Sequence, residues 1–390
     1  MKIQSLCSAV IISLWPLCSA LAQEALPLPI CGTTLGACKE GKAIDITNAT
    51  GTVTWSCGVR GGATTKCLLP SAAIPAPKKG AFFGAWVNPE NISGLYHDPA
   101  EEEKITETVE SKIGRNLALH MHYYPWHGAA DNTTPSFPDQ AMADDANPPN
   151  GTVPRIPVVT WACGNTNLNV ANGEADQLII NTAQAVRNYG KPIFIRWYWE
   201  MNLAPGANDQ SCMGSGGPAG YIQAWQHIYN IFKSEKVTNV AWLWNPAAGP
   251  GTITNRDPMP YYPGSSFVDW IGFDGYDVAG TGDFGAVFAP FYDEFKGMDK
   301  PMLVAETGAL NSAKKPSLQA AYLASASAEI EGRSANNIYA FPWVKGFMYF
   351  DKTGSAGNWV FNPEGLAAFR IMGEDPFFNP AEDPGSINPF

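Results

Sequence analysis

The stretch Ile193-Phe194-Ile195-Arg196-Trp197-Tyr198-Trp199-Glu200-Met201-Asn202 decides how the chain reads, because an apolar run of β type ends on a carboxylate instead of in a polar turn. A second run behaves the same way. Pro301-Met302-Leu303-Val304-Ala305-Glu306-Thr307-Gly308 carries Glu306 at the C-terminal end of a hydrophobic strand, with Gly308 as a turn former two residues on. Glu200 and Glu306 are 106 positions apart, the length of three βα units of roughly 35 residues, close to the ~31 per unit of a typical eight-unit barrel. The spacing predicts the ends of strands four and seven of one barrel, the rim at which such barrels place their active sites.

Outward from these two runs, short apolar segments alternate with amphipathic ones from Gly80 onward, the pattern of repeated βα units around a parallel sheet. Eight strands are predicted, at 81–86, 117–123, 156–161, 192–198, 240–244, 268–273, 302–305 and 345–350. Helices with a periodic apolar face are predicted to include 100–113, 175–188, 220–233 and 317–330. The fold class is therefore α/β, a (β/α)8 barrel over residues 80–372. Residues 23–69 form a small Gly/Thr-rich β module with alternating runs such as Thr52-Val53-Thr54-Trp55-Ser56, too short for a large core. Residues 70–79, with Pro70, Pro75 and Pro77, read as a semi-rigid linker, and the tail 373–390 as Pro-rich and irregular.

The chain has 390 residues with 45% hydrophobic content, enough for a barrel and a small module. A formal net charge of −11 argues against nucleic acid or an anionic membrane surface and favours a neutral polymer as partner. Residues 1–22 read as an export signal: Lys2, an apolar core from Ala9 to Leu17, and Ala20-Leu21-Ala22 as the cleavage motif. Bulky Trp15 and Leu17 before Cys18 disfavour a lipidated cysteine. The expected location is secreted or periplasmic, without membrane insertion, since no later run reaches the ~18 apolar residues that span a bilayer. Beyond the signal stand six cysteines, and in an oxidising compartment they are disulfide candidates. Cys31, Cys38, Cys57 and Cys67 cluster in the small module, without the close spacing or nearby histidines of a zinc site. Cys163 and Cys212 follow the third and fourth strands, so that their loops can meet above one barrel mouth.

A glycosidic bond breaks through an oxocarbenium-like state that needs a proton donor at the leaving oxygen and a carboxylate at the anomeric carbon, and two glutamates from two strands fill both roles. The runs ending in Glu200 and Glu306 are separated by Tyr261-Tyr262-Pro263-Gly264 and by Val268-Asp269-Trp270-Ile271-Gly272-Phe273-Asp274-Gly275-Tyr276. With these motifs, residues 80–372 resemble glycoside hydrolase family 26, retaining endo-β-glycanases that are mostly β-mannanases, with some mixed-linkage glucanases and β-1,3-xylanases. The resemblance implies that Glu200, in Arg196-x-x-x-Glu200-x-Asn202, is the acid/base, and that Glu306, in Ala305-Glu306-x-Gly308, is the nucleophile. It implies that Tyr276, in Asp274-Gly275-Tyr276, holds the nucleophile. Where mannanase members usually carry His just before the acid/base, this chain has Trp199, which moves the expectation from β-mannan toward mixed-linkage β-glucan or another exopolysaccharide. Physically, a phenol such as Tyr276 and a cation such as Arg196 would orient an ionised Glu306, while Trp197, Tyr198 and Trp199 would favour a protonated Glu200.

His120 and His122 alternate on one strand and face one side, as the ligands of metal-dependent amidohydrolases do, but the later strands offer no further His ligands. The glycanase reading makes His120 a hydrogen-bond donor to a sugar hydroxyl. Trp126, Trp161, Trp244 and Trp359 lie at or beyond strand ends, where indoles floor sugar subsites or simply pack the core. Asn245 and Asp274 are further candidates for substrate contact. No metal or organic cofactor is called for by this chemistry. Around Trp55, the small module resembles the Cys-rich β modules of exported bacterial proteins, a glycan or cell-surface attachment unit or a structural cap. Two alternatives stand beside the leading reading: an exopolysaccharide-trimming glycosidase of another linkage, such as β-1,3-xylan, and a non-catalytic glycan-binding surface protein.

Overall fold

The computed structural model describes residues 42–49, 52–58, 64–70, 73–88, 99–148, 154–203, 212, 216–248, 257–333, 340–354 and 357–379. The chain divides into two compact units, Met1–Ser71 and Ala72–Phe390. The first contains an antiparallel sheet of β1 (Lys42–Ala49), β2 (Thr52–Gly58) and β3 (Thr64–Pro70), in which Trp55 pairs with Cys67 and Cys57 with Thr65 along the backbone. The expected export signal, Cys31 and Cys38 lie outside the described residues.

The second unit is a closed barrel of eight parallel strands in chain order: β4 (Phe82–Val87), β5 (Leu119–Tyr124), β6 (Ile156–Trp161), β7 (Ile193–Trp197), β8 (Val240–Trp244), β9 (Trp270–Asp277), β10 (Met302–Ala309) and β11 (Val344–Asp351). Its helices are α1 (Pro99–Ile113), α2 (Gln140–Ala146), α3 (Asn167–Ala171), α4 (Asp176–Tyr189), α5 (Gly217–Ser234), α6 (Phe284–Phe295), α7 (Leu318–Ile330) and α8 (Pro363–Glu374). Both faces of each strand are buried, as parallel sheets covered by helices require. One set, including Leu119, Met121, Val158, Phe194, Leu243, Trp270, Leu303 and Met348, packs without any helix residue and fills the barrel. The other set, including Val159, Trp161, Ile195, Trp197, Trp242 and Trp244, packs against the helices.

Helix α6 escapes a periodicity reading because its sequence is apolar nearly all round and holds Pro290; Asp283 caps it by accepting from Ala286 N at 3.0 Å. Helix α8 starts on Asn362, whose side chain accepts from Gly365 N at 2.7 Å, with Pro363 in its first turn. Two boundaries differ from expectation. Within the stretch read as a linker, Ile74 is buried in the barrel interior and its carbonyl accepts from Trp270 Nε1 at 3.0 Å, so its apolar side chain belongs to the core. Within the stretch read as an irregular tail, Phe378 is buried, and Phe377 O accepts from Ala81 N at 2.9 Å.

Candidate active site

Strand β10 carries the deciding irregularity. Against β9, Val304 lies opposite Phe273 and Glu306 opposite Asp274; against β11, Val304 lies opposite Phe347 and Thr307 opposite Tyr349. One residue more is spent on β10 than on either neighbour, a β-bulge, and such insertions re-aim side chains next to active sites. Regular alternation from inward Leu303 and Ala305 would send Glu306 outward to the helices. The bulge turns it into the barrel mouth instead, and Thr307 takes the outward place, its hydroxyl against Tyr322 of α7. Gly308, expected as a turn former, is part of the strand. Its lack of a side chain makes room for Trp359, whose Cβ would stand 3.1 Å from an added methyl.

The Glu306 carboxylate is fixed at both oxygens. Oε1 accepts from Tyr123 Oη at 2.5 Å and from Arg196 Nη2; Oε2 accepts from Tyr276 Oη at 2.6 Å. Arg196 is fully buried and held in turn, with Nε donating to Thr160 Oγ1 at 2.6 Å and Nη1 to Asp274 Oδ2 at 3.1 Å. Burial alone would lower the Arg196 guanidinium, but the charges of Glu306 and Asp274 outweigh it and carry it up, so it stays a cation. Burial, then the charge of Glu306, push the Tyr123 and Tyr276 phenols well above their ordinary value and keep both as donors. The same two causes push Asp274 well above the usual carboxylate range, against the pull of Arg196. One cation thus serves two carboxyl groups, with Glu306 at the cleft and Asp274 behind it.

Glu200 sits in the turn that follows β7, half-buried, with φ of 54°, and Tyr198 has φ of 49°. Left-handed backbone is unfavourable for residues with a Cβ by about 1–2 kcal/mol each and persists where neighbours dictate it. Here Trp161 O of β6 accepts from Tyr198 N at 3.0 Å, and Asn245 O after β8 accepts from Glu200 N at 2.7 Å. Asn202 completes the clamp, with Nδ2 donating to Ala247 O and Oδ1 accepting from Ala247 N, both at 2.9 Å. The charge of Glu200 acts on Asp274 and Tyr276, which also feel Glu306, so both glutamates bear on one small region. Trp199 lies over it, edge-on to Tyr123 at 5.5 Å and 5.7 Å from the Arg196 guanidinium. Cys163 and Cys212 are joined as a disulfide, tying the loop after β6 to the segment after β7.

The residues expected to touch sugar are placed differently. His120 faces outward from β5, buried against Thr106 of α1 and Asp145 of α2, because β5 turns Leu119, Met121 and Tyr123 inward. Trp161 and Trp244 are wholly buried on the outward face, beside Phe232 and Phe295 respectively; Trp126 stacks on Trp161 at 4.6 Å. These three are core residues, since ending a strand says nothing about which face a side chain takes. Asp274 is buried behind Arg196, and Trp359 is buried behind Tyr276, on which it stacks at 4.7 Å. Asn245 is buried over Gly272, where an added Cβ would meet its Oδ1 at 2.4 Å. All three support the site from behind rather than line it.

Sequence reading missed Tyr123 and the aromatic wall it joins: Trp86 lies 4.6 Å from Tyr123 and 4.7 Å from Phe350, and Lys352 Nζ stands 4.7 Å over the Trp86 ring. Burial lowers the Lys352 ammonium to about 8. The signal for Tyr123 is parity: an inward His120 places Tyr123 outside, and the opposite face of β5 places it at the cleft.

Residues 142–326, which carry both glutamates, match the model of glycosyl hydrolase family 26. Endoglucanase H of Acetivibrio thermocellus is 27% identical over 325 residues, covering 78% of this chain and 31% of that protein, so the chain spans about a third of its length. The Bacillus subtilis mannanase BCman has a similar fold, with a TM-score of 0.51 at 16% identity, covering 78% of this chain and 93% of that one. A Cellulomonas fimi endo-β-1,4-mannanase double mutant gives a TM-score of 0.54 at 17% identity, covering 79% of this chain and 74% of that one. Over residues 142–326 the chain is thus similar to glycosyl hydrolase family 26, and that segment carries both Glu200 and Glu306, which strands four and seven of the barrel deliver to one mouth.

Proposed function

We propose that the barrel is a retaining endo-β-glycanase that cleaves a β-linked polysaccharide by double displacement. The observation that carries this reading is the three-donor grip of Tyr123, Arg196 and Tyr276 on Glu306. In the first step the carboxylate attacks the anomeric carbon while Glu200 gives its proton to the leaving oxygen, and a glycosyl ester forms on Glu306. In the second step Glu200 takes a proton from water, which attacks the same carbon and releases Glu306. Tyr276 and Tyr123 hold the carboxylate facing the cleft, and Arg196 balances its charge when the ester is released. Asp274, Asn202 and Asn245 position these groups from behind.

Mixed-linkage β-glucan is the favoured substrate and β-mannan the competitor. Trp199 in place of a histidine beside the acid/base supports the glucan, as does the relative described as an endoglucanase. Residues 1–22 act as an export signal in this reading, giving a secreted or periplasmic protein, and the module at 23–69 is an attachment or capping unit. Among the described residues no helix is long and apolar enough to cross a membrane.

The test is product analysis on mixed-linkage glucan, mannan, galactomannan, β-1,3-xylan and bacterial exopolysaccharides, with Glu306→Ala as control and the product anomer followed by NMR. Oligosaccharides released with retained configuration by the wild type and not by the variant support the reading. Inverted products refute double displacement, and no release from any polymer favours a glycan-binding role. N-terminal sequencing of protein recovered outside the cytoplasm tests cleavage after Ala22.

A further inference from the structure

The outward face of β5 holds a second cluster of ionisable side chains that the proposed chemistry does not use. His120 Nδ1 lies 2.8 Å from Asp145 Oδ1, and His122 Nε2 lies 2.6 Å from Asp145 Oδ2. An ionised carboxylate accepts, so each ring carries a proton on the nitrogen facing Asp145, which leaves the other nitrogen as the one that can ligate a cation. Those two nitrogens, His120 Nε2 and His122 Nδ1, converge on Glu102 Oε1 of α1, at 3.7 Å and 2.9 Å. The three atoms lie within 4.8 Å of one another, and all three residues are buried. Thr106 Oγ1 stands 3.0 Å from His120 Nε2.

From this arrangement we infer that Glu102, His120 and His122 form a structural site for a divalent transition-metal ion of the zinc type, seated between helix α1 and strand β5. The donor set of two imidazole nitrogens and one carboxylate oxygen suits zinc. Asp145, bonded to the second nitrogen of both rings, is the outer carboxylate that fixes the tautomer and plane of metal-binding histidines. Local charge points the same way. Glu102, Glu103, Glu110 and Asp145 are all buried here, and the arginine bonded among them, Arg155, contacts Glu103, Glu110 and Asp145. A dication between Glu102 and the two rings offsets the remaining negative charge where water is excluded. The site is distinct from the cleft: Tyr123, between the two histidines and Tyr124, points the other way to Glu306.

The test uses tag-free full-length protein, stripped with a chelator and titrated with Co²⁺ and then with Zn²⁺. Expected are one saturable equivalent per chain, a Co²⁺ absorption spectrum of nitrogen and oxygen ligation, and displacement by Zn²⁺. At a hundredfold excess of zinc over its Kd, Tm should rise by roughly 5 °C or more. Glu102→Gln and His122→Gln should each lose the equivalent and the spectrum, while His227→Gln, at a surface histidine paired with Asp176, should keep both. Glycan hydrolysis at 25 °C should not change between stripped and loaded protein. Absence of saturable binding by the wild type overturns the inference without reference to any variant, and so does binding that survives in both Glu102→Gln and His122→Gln.

Discussion

Strand β5 divides two buried charge clusters built from the same kinds of group. On its inner face Tyr123 leads to Arg196, Glu306 and Asp274. On its outer face His120 and His122 lead to Asp145, Arg155 and the glutamates of α1. Each cluster has one arginine bonded to two or more carboxylates. They differ in what closes them: half-buried Glu200 and Tyr276 border the inner one, whereas helices α1 and α2 cover the outer one. A charged network becomes an active site when one of its carboxylates is left facing a space a substrate can enter; covered on every side, the same network fastens a helix to a barrel.

The comparison breaks most sharply at Glu306. Glu306→Gln should lower kcat by about 10⁴-fold or more without lowering Tm, because the arginine keeps Asp274 as partner; a variant with near-normal turnover would remove Glu306 from the chemistry. Arg155→Met is the opposite case. It strands Glu103, Glu110 and Asp145 and should cost about 3–5 kcal/mol of stability, with kcat of the folded protein within about twofold of wild type. Calorimetry beside a rate assay separates the two effects.

Asp351 tests what the arginines contribute, since it is buried at the end of β11 with Phe361 N as its hydrogen-bond partner at 2.8 Å. Burial pushes its carboxyl up to about 7 from 3.8. The folded state therefore holds the proton more tightly than the unfolded one, and the stability this gives is complete below about pH 4 and lost as pH rises through 7. Asp351→Asn should match the wild type near pH 4 and exceed it near pH 8 by on the order of 2–4 kcal/mol. Parallel pH profiles of Tm would sink the idea.

The finest test sets neighbouring tyrosines against each other. Tyr123→Phe removes a donor from Glu306 and should reduce kcat by about 10- to 100-fold. Tyr124→Phe removes a bond to Asp139 on the outer face, of 2.7 Å, and should leave kcat unchanged. Equal losses in the two variants would show that the faces are not functionally separate.

The sequence made the barrel legible because strand ends carry composition signals: Ile156–Trp161 and Val240–Trp244 fall where the apolar runs predict them. Both glutamates were legible for the same reason, each closing an apolar run. Face was not. In a strand buried on both sides, alternation reveals two sets of residues without marking which is inside, so of the two places open to Trp161 and Trp244 the structure takes the core, His120 faces away from the cleft, and Tyr123 carries no signal of its own. The bulge in β10 was equally hidden, because an extra residue has no chemical signature of its own. The disulfide of Cys163 with Cys212 was legible as a pairing of loops above one mouth. Cys57 and Cys67 lie on paired strands of the small sheet, and the pairing expected in that module falls on side chains outside the described residues.

The irregular step at Ala305 and Glu306 also sets what kinds of genetic change this gene can absorb. Replacing Val304 by isoleucine alters packing by a methylene, but deleting Thr307 would allow even pairing in which Glu306 moves from opposite Asp274 to opposite Gly275, rotating the carboxylate toward α7 and away from its three donors. Point substitutions away from Glu306 can therefore accumulate along the strand while a change of length between Glu306 and Gly308 cannot, and the spacing from Ala305 to Gly308 is expected to stay fixed even where Thr307 varies.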